Sequence, residues 1–515
     1  MTEPTEAERF SGEIVVASRI VDTLSSGLYE NPAACLKELI NNSYDADATS
    51  VSVHVKPDAD LILIEDNGTG MDREEFERNF ERIAESHKRD DGDATDSGRK
   101  QIGKIGIGFI AANELCNVME IESTKEGSTD LLQVKINFED MRKDPAERRR
   151  GKDGLGVAKG DYDGVVVPQA DANQHFTRVV LTSMTDNARE ATVAVHSKAP
   201  DEPAPSLYGL KPETVADRLA LDKLRSWDEL DLYSQTMLGV ALNVPVAYPP
   251  DWIDEPFRRE LRYFEQAAAK LKFDVLYDGT SLRKPVVLHD GDHRSLLHTW
   301  QHKGEAVSAR GYFFARQGAL KPIDINGVLI RVRNAAVGGY DRDYLDFPTT
   351  SGALFQDWIS GEVWADDRLE EAMNIDRKTL RTTHPAFIEL QRVVHAELRS
   401  ALTRVRKELY GAGSEERRTA RARRETERLT EVLTATASQI GTKGAREVRR
   451  TWLAPRPSRP GADPAAQARE QTSELLRKYT VAEFYEVCID AAAEVLDHDQ
   501  LERFVKALTR RLRQR

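Results

Sequence analysis

Lys37-Glu38-Leu39-Ile40-Asn41-Asn42-Ser43-Tyr44-Asp45-Ala46-Asp47-Ala48 is the stretch on which the reading of this chain turns. Glu38, Asn42 and Asp45 fall at i, i+4 and i+7, so a helix here carries all three on one face. Pro32 after Asn31 marks the start of that helix, with Asn31 as its cap. An acid and an amide one turn apart suit different tasks. The Asn42 carbonyl offers a hard oxygen to Mg²⁺, an ion that keeps waters and bridges phosphates. Glu38 can orient or deprotonate an attacking water. A solvated polar helix face explains the same three residues when the helix is taken alone.

Working outward, Val51, Val53 and Val55 alternate with polar residues, and Leu61-Ile62-Leu63-Ile64 follows a short polar turn. That pattern predicts an antiparallel hairpin. It runs into Asp66-Asn67-Gly68-Thr69-Gly70-Met71. A carboxylate at the end of a buried strand can accept the exocyclic N–H of adenine. Gly68 and Gly70 leave room for a base and allow unusual backbone angles, and Met71 reads as packing beside it. Taken alone, Asp-x-Gly-x-Gly marks turns and calcium loops as readily. A charged helix is expected from about residue 72 to 85, then a polar loop from Ser86 to Lys100.

Gly103-Lys104-Ile105-Gly106-Ile107-Gly108-Phe109 comes next. Backbone N–H groups at the start of a helix, unshielded by side chains, make an anion site suited to phosphates. The long polar loop before it argues against a dinucleotide fold, and a P-loop would need Gly-Lys-Ser/Thr. An apolar helix is expected from Phe109 to Cys116, strands up to Thr177–Leu181, and helical spacing also runs through residues near 14–28.

In order and spacing the three blocks resemble the split ATP-binding fold of gyrase B, heat-shock-protein-90 chaperones, histidine kinases and MutL, the GHKL superfamily. The resemblance implies an α+β fold: a Bergerat-type α/β sandwich, a second α/β transducer-like domain and a helical C-terminal region. It implies Glu38 as general base, Asn42 as the Mg²⁺ ligand and Asp66 as the adenine acceptor. ATP contacts are implied for Asp45, Ala46, Gly68, Gly70, Met71, Gly103, Lys104, Ile105, Gly106, Ile107, Gly108 and Phe109. Ser86 and Lys88 resemble the Ser/Thr and Lys that the family's ATP lid turns towards phosphates, although a bland charged loop would look alike. Thr177 matches a threonine near the base, and a plain strand threonine explains it equally. Histidine kinases usually lack the glutamate, so Glu38 points towards the hydrolases.

Phosphoryl transfer to water needs positive charge at the developing oxyanions. Met373-Asn374-Ile375-Asp376-Arg377-Lys378-Thr379-Leu380 resembles the chaperone loop that supplies it, and Gly327 to Asn334 resembles the chaperone middle domain. The resemblance makes Arg377 the basic residue, with Lys378 as substitute. Asp376 stands where the chaperone has serine and can itself pair with Arg377. A surface arginine pair is the plain alternative.

The expected domains are 1–195 for ATP, a linker at 196–210 around Ala199-Pro200-Asp201-Glu202-Pro203-Ala204-Pro205, and a transducer-like domain at 211–395. Strand-rich segments at Phe273–Leu288 and Ile325–Val332 and a helix near 385–408 belong to this last domain. Residues 396–515 read as helical, interrupted by prolines near 454–466. A length of 515 residues fits two to four domains. The net charge of −13 argues against a chain that coats nucleic acid generally. Cys35, Cys116 and Cys488 are too scattered for a disulfide framework or a zinc site. The acidic start is unlike a secretory signal and no apolar run is long enough for a bilayer, so a cytoplasmic protein is expected.

Arginines between 404 and 424 cluster beside Glu415, Glu416, Glu425 and Glu427, as on a solvated or coiled-coil face, and leave a nucleic-acid contact open. Leu475, Leu476, Phe484, Val487, Leu496, Leu501, Phe504 and Leu508 form an apolar stripe suited to a partner helix or a homodimer. The resemblance therefore implies a Mg²⁺-dependent ATPase like heat-shock protein 90. It would release ADP and phosphate, close a lid and act as a dimer on a protein client. A DNA-clamping ATPase like MutL or MORC is the alternative. A histidine-type kinase, with His395 as acceptor, is a third.

Overall fold

The computed structural model describes the backbone of residues 8–17 and then 31–80, 95, 97–103, 108–138, 157–168, 173–193, 204–255, 257–289, 294–348, 356–374, 377–410 and 481–514. Ser86, Lys88, Asp376 and residues 104–107 lie outside these. So do both proline-rich interruptions, apart from Ala204 and Pro205, and the arginines from 417 to 424. The chain divides into two compact units, Met1–Val405 and Arg406–Arg515.

Nine strands build the first sheet: β1 (Glu8–Ala17), β2 (Ser50–Lys56), β3 (Leu61–Asp66), β4 (Cys116–Thr124), β5 (Asp130–Asn137), β6 (Val157–Pro168), β7 (Phe176–Met184), β8 (Asp274–Tyr277) and β9 (Thr280–Ser281). Their order is β1-β6-β5-β4-β7-β3-β2-β8-β9. The expected hairpin is β2–β3, with Val51 opposite Asp66. Its alternation puts Val51, Val53, Val55, Ile62 and Ile64 into one core. Helix α1 (Pro32–Asp45) joins the same core through Leu36, Leu39, Ile40 and Tyr44.

Two local expectations give way. Residues 14–17 end a strand, β1, which pairs antiparallel with β6 along its whole length. Ile14-Val15-Val16 is β-branched, and an available sheet edge outweighs a short helical spacing. Residues Gly108–Glu114 form a 3₁₀ helix, and β4 begins at Cys116. The segment between the glycine loop and β4 is short, which suits the tighter winding.

Residues beyond the proline-rich stretch at 199–205 also complete the first core. β8 pairs in parallel with β2. Asp278 accepts from the Val55 N–H at 2.9 Å and from the Tyr233 hydroxyl at 2.9 Å. Tyr233 lies in a buried helix, Leu232–Asn243, whose Met237, Leu238 and Val240 share the core of α1.

The second sheet contains β10 (Ser295–Lys303), β11 (Ser308–Arg316), β12 (Gly327–Val332), β13 (Ala335–Asp341) and β14 (Ile359–Ala365), in the order β10-β11-β14-β12-β13. Two helices, Phe257–Ala269 and Pro385–Arg404, accompany it. Every residue of β12 is buried. Among them is Arg331, which meets the equally buried Glu362 of β14 through two N–H···O contacts of 3.0 Å. The Tyr248 hydroxyl donates to the same carboxylate at 2.5 Å and the Trp364 indole at 3.2 Å. Burial alone would raise the Glu362 pKa. The Arg331 charge and these donors hold it down at about 2.

In the second unit, helices Val481–Ala493 and His498–Gln514 bury Tyr485, Ile489, Leu501 and Val505, and Tyr485 and Thr509 share a 2.7 Å hydroxyl contact. Val487, one of the stripe residues, is 57% exposed. Among the described residues no helix is long and apolar enough to cross a membrane.

Candidate active site

α1 is capped by Asn31, whose side chain accepts the Ala34 N–H at 2.9 Å. Asn42 is exposed on this helix, and Glu38, one turn earlier, is 15% exposed with the Lys37 ammonium 3.2 Å from its carboxylate. Asn42 is open to a ligand at the helix surface, and Glu38 is open only in part. Asp45 is buried, and its carboxylate accepts the N–H groups of Ile102 at 2.6 Å and Gly103 at 2.7 Å. It anchors the entrance of the glycine loop to the end of α1, so any part it has in binding runs through that loop. Gly108 and Phe109 open the 3₁₀ helix beyond the loop.

The second block is tied to the first just as closely. The Ala46 carbonyl accepts the Thr69 N–H at 2.8 Å. A Cβ on Gly68 would lie 2.6 Å from that same carbonyl oxygen. Gly70 has φ +69°, and its Cβ would strike the Thr124 carbonyl. Both glycines are therefore demanded by backbone packing, over and above any room they leave for a base.

Asp66 is 7% exposed at the end of β3. Burial raises its pKa, opposed by the Ser43 hydroxyl at 2.7 Å and the Gly68 N–H at 2.8 Å. The Thr177 backbone N–H adds to these two donors, and a carboxylate still has acceptor capacity left for a ligand. β7 aligns Thr177 with Asp66. The Thr177 hydroxyl lies 3.0 Å from that of Ser123, which also accepts the Met71 N–H at 2.9 Å. Met71 is half-buried against the core of α1. His175 Nδ1 stands 2.6 Å from the Gly68 carbonyl.

The second sheet reaches this site. Arg377 has φ +52° in a turn closed by Asn374, which meets Thr379 through backbone and side chain. It donates to the Ile102 carbonyl, with Glu370 3.8 Å away. Arg333, in the β12–β13 turn, donates to the Gln101 carbonyl and is paired with Asp367 and Glu370, each at 3.0 Å. Lys100 binds Asp367 from the other side. Two arginines and two acids thus clasp the residues just before the glycine loop. His395 is engaged elsewhere: its Nε2 faces the carbonyls of Tyr344 at 3.2 Å and Leu345 at 2.8 Å.

Four contributors escaped the sequence reading: Ser43, Ser123, His175 and Arg333. Ser43 had a signal, since it directly follows Asn42 on a helix already singled out. The other three act across strands and turns far apart in the chain.

Residues 29–157 match the family model described as histidine kinase-, DNA gyrase B-, and HSP90-like ATPase. That region belongs to the GHKL ATPase superfamily. Among curated proteins the chain is similar to a putative type II restriction enzyme HgiDII of Herpetosiphon aurantiacus, 39% identical over 115 residues, or 22% of this chain and 18% of that protein. It is also similar to the chaperone protein HtpG of Mesorhizobium japonicum, 28% identical over 206 residues, covering 36% of this chain and 29% of the relative. The DNA mismatch repair protein MutL of Ehrlichia chaffeensis matches at 32% over 123 residues, 24% of this chain and 18% of the relative. The chain thus spans between about a fifth and three-tenths of these relatives' length.

Proposed function

We propose that this protein is a Mg²⁺-dependent ATPase that hydrolyses ATP to ADP and phosphate and passes the nucleotide state to its second sheet. The observation that carries this reading is the junction at the end of α1. Asp45 holds the glycine loop and Ala46 holds the Asp66–Met71 turn, so the two later blocks meet at the end of the helix that bears Glu38 and Asn42. In this reading Asp66 accepts adenine N6–H, Thr177 and Met71 border the base, and Gly103 to Phe109 receive the phosphates. Glu38 is the general base for water.

The exposed Asn42 amide oxygen would hold Mg²⁺, which would supply positive charge to the phosphates. Arg377 is the cation for the transferred phosphoryl group, and its bond to the Ile102 carbonyl supports that by holding it beside the loop. Ser86 and Lys88 remain part of the proposed lid. The proposed domains are 1–195, 211–395 and 396–515, with β8 and β9 of the second completing the sheet of the first, and the proposed working state is a homodimer acting on a protein client as the chaperones do.

Steady-state hydrolysis beside nucleotide binding tests this. Glu38→Ala should keep ATP binding and lose turnover by about 10²–10⁴-fold. Arg377→Ala should likewise lose turnover and keep affinity. A wild type that binds no ATP would end the proposal, and unchanged turnover in either variant would remove that residue's role. A second reading is a DNA-clamping ATPase, favoured by the DNA-directed names of two of the relatives above. DNA-stimulated turnover would select it, and stimulation by an unfolded protein the first.

A further inference from the structure

Between the first and second sheets lies a cavity of about 770 Å³ whose wall excludes Glu38, Asn42, Asp45, Asp66 and Gly103. In a chain of net charge −13, seven of its lining side chains are Lys or Arg and only two are Asp. Several of these cations have structural partners, as the clasp on Gln101 shows. Lys270, Lys303 and Arg310 have no carboxylate partner among the described residues.

Two further observations point to a ligand. Asn334 lines the cavity at 4% exposure, and neither its amide oxygen nor its amide nitrogen has a hydrogen-bond partner among the described residues. A buried amide of that kind needs a partner. Tyr263 is 48% exposed at the cavity wall, and the Arg310 guanidinium lies over its ring, 4.1 Å from the centroid. Ring and guanidinium make a platform, and Lys270 and Lys303, unpaired among the described residues, line the same cavity.

We propose that this cavity binds a single nucleic-acid strand, with phosphates on Lys270 and Lys303 and a base stacked on the Arg310–Tyr263 platform. Every base has a π face, so such a platform tolerates any sequence. A concavity of this size admits one strand with its bases splayed, whereas a duplex would need a broad surface. The inference rests on the DNA-directed reading and gives it a place in the fold that shares Lys100 and Arg333 with the clasp before the glycine loop and none of the proposed ATP contacts.

The test is fluorescence anisotropy of a labelled oligothymidylate of about ten nucleotides with the full chain, titrated with salt. Binding of a non-hydrolysable ATP analogue is measured in parallel. Wild type should bind the strand and weaken with salt. Lys303→Gln and Arg310→Gln should each lower the logarithmic salt slope by about 0.7. Tyr263→Ala should weaken binding about tenfold, and all three should bind the ATP analogue as wild type does. Strand binding that none of the three variants changes would overturn this site while sparing the nucleic-acid reading. No strand binding at low salt would sink both, and tighter binding of a duplex than of the strand would also overturn the site.

Discussion

Asp66 and Glu362 are both buried carboxylates on central strands of their sheets, and their environments push them in opposite directions. At Asp66 the partners are neutral donors, a hydroxyl and two backbone N–H groups, and burial prevails, so the pKa rises. At Glu362 a buried guanidinium grips both oxygens and a phenol and an indole add to it, so the pKa falls to about 2. The first carboxylate keeps acceptor capacity facing a loop of two required glycines. The second is saturated from within. Burial of an acid therefore says little about its role, and the identity of its partners says much.

The largest test of the contrast is removal of each charge without change of shape. Glu362→Gln leaves Arg331 buried without its counter-charge and should lower stability in urea unfolding by about 3–5 kcal/mol. Asp66→Asn should leave stability unchanged or raised, since a costly buried charge disappears. It should weaken ATP binding by about 1.5–3 kcal/mol in calorimetry, because an amide cannot replace a charged acceptor there. Equal losses of stability in the two variants would break the comparison.

The pH dependences should also diverge. The depressed Glu362 contributes stability that is present above the ordinary carboxylate range and is lost as pH falls towards about 2. The raised Asp66 works with the opposite sign: its neutral form favours folding, and that contribution is lost as pH rises through the raised value. ATP binding needs the ionised form, so affinity should fall on acidification before an ordinary aspartate would protonate. Affinity flat across that range would deny Asp66 its contact. The smallest effect belongs to Ser43→Ala, which removes one donor to Asp66. It should weaken ATP by about 1 kcal/mol and move the acid limb of binding to higher pH.

Legibility in the sequence followed the range of the interaction. The β2–β3 hairpin and α1 with its Asn31 cap were readable because alternation, helical spacing and capping are local signals. Glu38, Asn42, Asp66 and Thr177 were named from motif order, and the fold brings Asp66, Thr177 and the unnamed Ser43 together at one end of the sheet. β1 and the 3₁₀ helix were misread because a sheet edge and a short connection overruled local spacing. The prolines at 199–205 drew attention to a boundary, yet β8, β9 and Tyr233 lie beyond it and finish the first core.

By itself, then, the amino-acid order determined that three blocks with nucleotide chemistry lie in one superfamily's arrangement, because each block's residues act within a helix turn, a hairpin or a loop. Only the tertiary structure decided that Asp45 anchors the glycine loop, that Arg333 grips Gln101 from 232 residues away, and that a basic cavity forms between the sheets. Those outcomes depend on which distant surfaces meet, and no local period or spacing encodes that.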